Sequence, residues 1–404
     1  MSTSHPSPGG TPGTSPVAGA AVAPFARADY DRRVRALQQA LAARGLDGAL
    51  FTERANFEYL TGVSLPPLWS SYTRLLAIAV PASGAPTLLM PSFVANEAEP
   101  TGLRIEAYDS LEKGGPDLLA GVLAAAGLTE GRIGFERGRE SRLAATFDDL
   151  ATLAERLPKA TFDDGMDAMW ATRAIKDAGE IARLRIACAA AGAGFAAAFA
   201  TPRAGASERD VATIIETGGV AGVAGSGAWV QLGWIGITSG AGWYDRFVAG
   251  PRDRRLERGD MLWADLGFTA DGYWSDFCRA AIVGGPTPQQ VDRQKRIAEA
   301  TAVGAAMAQP GVATADIARA MRAALARLGM PSFGFGRLGH SIGLTATEPP
   351  SVVEHDTTIL QAGMVITCEP AATEDDGLYC TEQLIVVGDV PEILSTWPTD
   401  LATI

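Results

Sequence analysis

Four carboxylates sit inside stretches whose other residues read as buried strand: Asp265 in MLWADLGFTA, Asp276 in GYWSDFCRAAIVG, Glu369 in GMVITCEPAAT and Glu382 in LYCTEQLIVVG. A single acid in such a strand is costly unless it is paired, hydrogen-bonded or bound to metal. Taken singly, each also reads as a satisfied core polar group. Taken together they would load one sheet with negative charge, and a fold that gathers them needs cations. The turn signal TADG between the first two strands makes a hairpin that carries Asp265 and Asp276 to one place. His340, in GRLGHSIGL, adds an imidazole between glycine and apolar residues. Carboxylates with one imidazole suit one or two divalent ions of the hard to borderline kind: manganese, iron, cobalt or zinc.

The surrounding pattern divides the chain. Over 29–45, DYDRRVRALQQALAARG puts Val34, Leu37, Leu41 and Ala42 on one helical face and stops at glycine. The short apolar runs GALFT, RLLAIAVP and APTLLMP follow, with a helical stretch at about 117–126. Strands alternating with helices argue for an α/β domain over about 25–165. Helices over about 176–200 and 208–217 then lead into two strand groups, separated by helices over about 288–308 and 313–328. That reads as an α+β domain with an antiparallel sheet over 166–404.

At 404 residues the chain suits two domains. A formal charge of −12 and a pI near 4.9, with no Lys/Arg cluster to offset them, argue against a nucleic-acid partner. No uninterrupted apolar run reaches the roughly 18 residues that cross a bilayer, so no membrane association is expected. Cys188, Cys278, Cys368 and Cys380 are too few and too scattered for a disulfide framework, and a cytoplasmic setting is expected. Residues 1–24, rich in Ser, Pro, Gly and Thr, read as a disordered tail rather than a secretory signal.

The order D-x10-D, then GHxxG, then a strand ending in E-P, then a glutamate in the last strand, resembles the pita-bread metallopeptidase superfamily. That group includes prolidase, aminopeptidase P, methionine aminopeptidase and creatinase. NFEYLTG (56–62) is similar to a pattern of its N-terminal domain, and RAIKDAGEI (173–181) to the linker helix of its prolidase, aminopeptidase P and creatinase members. The resemblance spans about residues 25–390. It implies an α/β N-terminal domain followed by a pita-bread catalytic domain, an antiparallel sheet flanked by helices. It also implies two divalent ions bridged by Asp276 and Glu382, with Asp265 completing one shell and His340 and Glu369 the other. A hydroxide held between the ions would be the nucleophile, Glu369 the proton shuttle, and the assembly a homodimer acting on a small molecule.

Three departures from that pattern shape the expected chemistry. Peptidases of the group carry two further histidines that position the substrate. Downstream of Ser239 this chain reads SGAGWYDRFVAG with no histidine, and seven residues after His340 Thr347 stands where an imidazole would, followed by Glu348. The third departure is Cys380, two residues before Glu382, where many relatives have arginine. Strand alternation puts Cys380 on the face of Glu382 and Cys278 on the face of Asp276, both read as small apolar lining. Losing a group that stabilises transition-state charge costs orders of magnitude in rate, which argues against ordinary Xaa-Pro cleavage. Thr347 and Glu348 are accordingly candidates for catalysis beside Glu369. Candidate substrate contacts are Trp234, Trp243 and Tyr244 (with core packing as the alternative), Cys380, and Tyr72 and Arg74 of the N-terminal domain.

The first functional reading is therefore a metal-dependent hydrolase of a C–N bond in a small or modified amino-acid-like substrate. A lyase or oxidative enzyme on the same fold is the second reading, and an Xaa-Pro dipeptidase or aminopeptidase the third. Retention of all five ligands disfavours a non-catalytic binding protein.

Overall fold

The computed structural model describes residues 21–65, 74–109, 115–201, 203–244, 246, 250–330 and 336–404. The first half is a mixed six-stranded sheet in the order β4-β3-β2-β1-β5-β6. Its elements run α1 (Arg27–Ala43), β1 (Gly48–Phe51), α2 (Arg54–Thr61), β2 (Ala77–Pro81), β3 (Thr87–Pro91), β4 (Arg104–Tyr108), α3 (Gly115–Ala125), β5 (Glu130–Phe135), α4 (Phe147–Arg156), β6 (Lys159–Asp164) and α5 (Met166–Ala174). Every residue of β1, β2 and β3 is buried, so these strands read as continuous apolar runs without alternation. The edge strands β4 and β6 carry charges and stay partly exposed, which hides them from a hydrophobicity reading. α1 buries Val34, Leu37 and Leu41, the face its spacing predicts.

The second half opens with α6 (Ala178–Phe199) and α7 (Glu208–Gly222), which pack on one face of a sheet ordered β18-β10-β8-β7. Here β7 is Val230–Ser239, β8 Met261–Ala270, β9 Tyr273–Trp274 and β10 Phe277–Ile282. α8 (Pro288–Ala306) and α9 (Thr314–Arg327) precede a second sheet, β12-β11-β13-β16-β17. Its strands are β11 (His340–Ser341), β12 (Glu348–Ser351), β13 (Val365–Cys368), β16 (Gln383–Val386) and β17 (Glu392–Ile393), with the hairpin β14 (Ala371–Glu374) and β15 (Gly377–Cys380) between. Pairing is antiparallel except where β18 (Ala402–Thr403) joins β10 in parallel. Among the described residues α6 alone is long and apolar enough to cross a bilayer, and its Leu184, Ile186, Ala191 and Phe195 lie in the core.

The motifs 56–62 and 173–181 tie the halves together. Glu136 accepts from Asn56 Nδ2 (2.9 Å), Asn56 Oδ1 accepts from Arg173 (2.7 Å), and Arg173 and Lys176 both donate to Glu348. Residues 21–24, expected as the end of a disordered tail, are instead packed. The Val22 N–H donates to the Ser226 carbonyl, and the Ala23 carbonyl accepts from Arg183. The anchor is Phe25, whose ring lies 4.4 Å from the Arg33 guanidinium and 3.9 Å from that of Arg183. Residues 1–20 lie outside the described residues.

Candidate metal centre

The β8–β10 hairpin forms as the turn signal predicts. Asp271 and Gly272 at its tip both have positive φ, 47° and 84°, the conformation of a tight primed turn. Asp265 faces Cys278 across the ladder, and Asp276 lies just before the Phe277–Leu266 pair. Opposite them, the second sheet brings His340 at the start of β11, Glu369 just after β13 and Glu382 just before β16. The centre is thus a seam between two sheets, each contributing part of it.

The five side chains converge. His340 Nε2 lies 3.5 Å from Asp276 Oδ2 and 3.7 Å from Glu369 Oε1. Ligand atoms of Asp276, His340 and Glu382 all lie within 4.8 Å of one another. Asp265 and Glu382 have carboxyls within hydrogen-bonding reach. The imidazole is oriented by its other nitrogen: Nδ1 is 2.9 Å from the Ser341 carbonyl, which can only accept, so Nδ1 carries the proton and Nε2 presents its lone pair to the acids. Gly339 makes the approach possible, since at φ 152° a Cβ there would stand 2.0 Å from the Thr367 carbonyl. Arg279 fixes the far side, giving hydrogen bonds to the carbonyls of Cys278 (2.7 Å) and Glu382 (2.9 Å).

The electrostatics fit divalent cations. Burial, and then the neighbouring acids, push the carboxyls of Asp276, Glu382 and Glu369 upward, and burial does the same to Asp265. Burial, and then Arg337, lower His340 to about 4, so the imidazole is neutral and supplies no counter-charge. Asp265 Oδ1, Asp276 Oδ1 and Glu382 Oε1 are buried without a hydrogen-bond partner. Four acids around a neutral imidazole, with three orphaned oxygens, form a donor set for metal.

The other sequence candidates separate. Glu348, expected in catalysis, has both carboxylate oxygens engaged, by Arg173 at 2.5 Å and Lys176 at 3.1 Å. Burial works against its charge, but those cations outweigh burial and hold it at about 2, so its carboxylate stays ionised in a buried ion-pair network. Thr347 Oγ1 accepts from Arg337 at 3.2 Å. Trp234 pairs with Gly267 while Gly236 pairs with Asp265, which places Trp234 on the sheet face of Asp265. Tyr244, expected against substrate, is core: it is 5% exposed and its hydroxyl accepts from the Met261 N–H. Trp243 is exposed and stacked by Arg246 and Arg252, at 4.6 and 4.1 Å. Cys380 is buried beside Cys278 in the apolar cluster against β8. Arg74 lies in the N-terminal half near Tyr108, and Tyr72 falls outside the described residues. Arg337 and Arg279 escaped the sequence reading, although Arg337 stands only three residues before His340.

Known proteins match along most of the chain. "Putative dipeptidase YkvY" of Bacillus subtilis is 26% identical over 380 residues, covering 91% of this chain and 99% of its own length. "Probable dipeptidase PepE" of Mycobacterium bovis is 29% identical over 387 residues, with 91% and 97% covered. The crystal structure of dipeptidase PepE from Mycobacterium ulcerans superposes with a TM-score of 0.80 at 26% identity, covering 94% of this chain and 99% of that one. Residues 182–389 match metallopeptidase family M24, and residues 33–175 match the creatinase/prolidase N-terminal domain. With the ligand geometry, the two-sheet seam and these matches in agreement, the chain belongs to metallopeptidase family M24.

Proposed function

We propose that this chain hydrolyses the C–N bond of a small, amino-acid-like amide at a centre of two divalent cations held by Asp265, Asp276, His340, Glu369 and Glu382. The observation that carries the reading is the set of orphaned carboxylate oxygens facing a neutral Nε2 lone pair. Divalent cations at such a place polarise a carbonyl and bring water's pKa toward neutrality. Asp276 and Glu382, whose ligand atoms lie within 4.8 Å of each other and of His340, would be shared between the ions. Glu369, whose carboxyl is raised by burial, is suited to take a proton from the attacking water and hand it to the leaving nitrogen. Cys278 and Cys380 keep the floor beside the acids apolar and water-poor, which strengthens each charge interaction there.

A second reading, a conventional dipeptidase, is favoured by the names of the full-length relatives, and Xaa-Pro substrates by the name of an "Xaa-Pro dipeptidase" of Lactobacillus helveticus that matches 83% of this chain. The two readings part on one assay. The purified protein, loaded separately with manganese, cobalt, zinc and iron, is incubated with Xaa-Pro dipeptides, other dipeptides and N-acyl amino acids, and free amine is measured. Cleavage of non-prolyl amides with little Xaa-Pro turnover supports the first reading, and strong Xaa-Pro turnover the second. No turnover with any metal would sink both.

A further inference from the structure

Relatives of the peptidase type place imidazoles over the scissile carbonyl, and this chain has neither, since its three histidines are His5, His340 and His355. A reaction that builds negative charge on a carbonyl oxygen still needs a cation or donor there. Arg337 stands in the right region. It lies three residues before His340, and its Nη2 donates to Oγ1 of Thr347 at 3.2 Å, the residue that occupies an imidazole's sequence place. Its Nη1 reaches Glu140 Oε1 of the N-terminal half at 3.4 Å. Glu140 is one of two described non-glycine residues with positive φ, 57°, a conformation that persists where surrounding structure enforces it. The Arg337 side chain nevertheless remains 27% exposed, open to an incoming group. Its charge bears on Asp276, Glu369 and His340.

We propose that Arg337 contacts the substrate's carbonyl oxygen and stabilises the negative charge it acquires on attack, with Thr347 and Glu140 as positioning residues that aim the guanidinium. The step is an ordinary amide hydrolysis. Water gives a proton to Glu369 as its oxygen bonds to the carbonyl carbon and the π electrons move to the oxygen facing Arg337. That pair then re-forms the C=O bond as the C–N bond breaks and the nitrogen takes the proton from Glu369, leaving a carboxylic acid and an amine. A guanidinium offers two parallel donors and stays charged at any working pH, so it can do the work of the absent imidazoles without titrating.

The proposal rests on the hydrolase reading, so its test includes a measurement that does not need turnover. A phosphinic dipeptide analogue, which carries a fixed tetrahedral anion, is titrated into the metal-loaded protein and into Arg337→Met and Arg337→Lys by calorimetry. Metal content is measured on each sample. The expected result is unchanged metal, a loss of 100-fold or more in affinity for Arg337→Met, partial retention for Arg337→Lys, and an intermediate loss for Thr347→Ala. With a cleaved dipeptide in hand, Arg337→Met loses kcat with KM within a few-fold, and guanidinium ion restores part of it. Wild-type binding that Arg337→Met leaves within twofold would overturn the proposal, as would a wild-type protein that binds no analogue. Arg337-dependent binding without turnover of any of the amides tested would keep Arg337 as the group that contacts a substrate oxyanion and discard the hydrolase reading instead.

Discussion

Arg173 and Glu348 form a fully buried ion pair at 2.5 Å across the boundary between the two halves, with Lys176 as a second cation on the same carboxylate. Arg173 belongs to α5 of the first half, and Glu348 to β12, one residue from Thr347 and the loop that carries His340. The pair converts the docking of the halves into the placement of the candidate active-site wall. The sign of its pH dependence follows. Glu348's folded pKa, about 2, lies below the ordinary 4.5, so its ionisation stabilises the fold above about pH 4.5 and is lost as pH falls toward 2. The linkage is on the order of 3 kcal/mol. Urea titrations at pH 7 and pH 3 should show the wild type losing more stability than Glu348→Gln, and equal losses would contradict the assignment.

Removal of a ligand should act on metal content and stability together, because a bound ion stabilises only the state that holds it. For Asp276→Ala and His340→Ala, elemental analysis should show a drop in metal per chain. A chelator should then lower Tm in the wild type and leave the variants unmoved. Full metal content in Asp276→Ala would remove Asp276 from the centre.

Gly339 offers a steric test. Gly339→Ala would put a Cβ 2.0 Å from a backbone carbonyl, whereas Gly311→Ala, also at positive φ (88°), meets nothing within 4 Å. The second change should cost about 1 kcal/mol. The first should cost several-fold more and displace His340, read as lost metal content. Similar penalties at the two positions would show that backbone conformation, not the close approach, governs Gly339.

Arg279 donates to five backbone carbonyls, those of Cys278, Glu382, Ser395, Trp397 and Pro398. Arg279→Met should leave them unsatisfied, lowering stability by about 3–5 kcal/mol and weakening metal binding through Glu382. Denaturant unfolding with metal titration checks both, and a variant with wild-type stability would show the carbonyls finding other partners.

The acids of the candidate centre are legible because each interrupts an apolar run, a contradiction that local sequence displays. The hairpin was legible because Asp271–Gly272 is a turn dipeptide whatever surrounds it. The ion pairs of Glu348 are not legible because its partners lie far upstream, and nothing near TEPP announces them. Tyr244 looked like a pocket wall by its aromatic neighbours, yet a hydroxyl that finds the Met261 N–H can be buried. The anchoring of residues 21–24 beside Phe25 is not legible in a low-complexity stretch, since the two arginines that Phe25 covers come from separate helices. Arg337 was passed over because an arginine in a glycine-rich loop reads as solvated surface, and only the fold reveals Thr347 and Glu140 on either side of it.

The division of the ligands between two sheets has a consequence for biosynthesis. Asp265 and Asp276 leave the ribosome long before His340, Glu369 and Glu382, and neither sheet alone offers a complete coordination shell. At the proposed centre an ion would therefore be captured late, when the second sheet closes on the first, and the free ions around the nascent protein at that moment would compete for it. Because carboxylates with one imidazole discriminate weakly among first-row divalent ions, the metal such a centre takes up would be set largely by where and when its last strands fold.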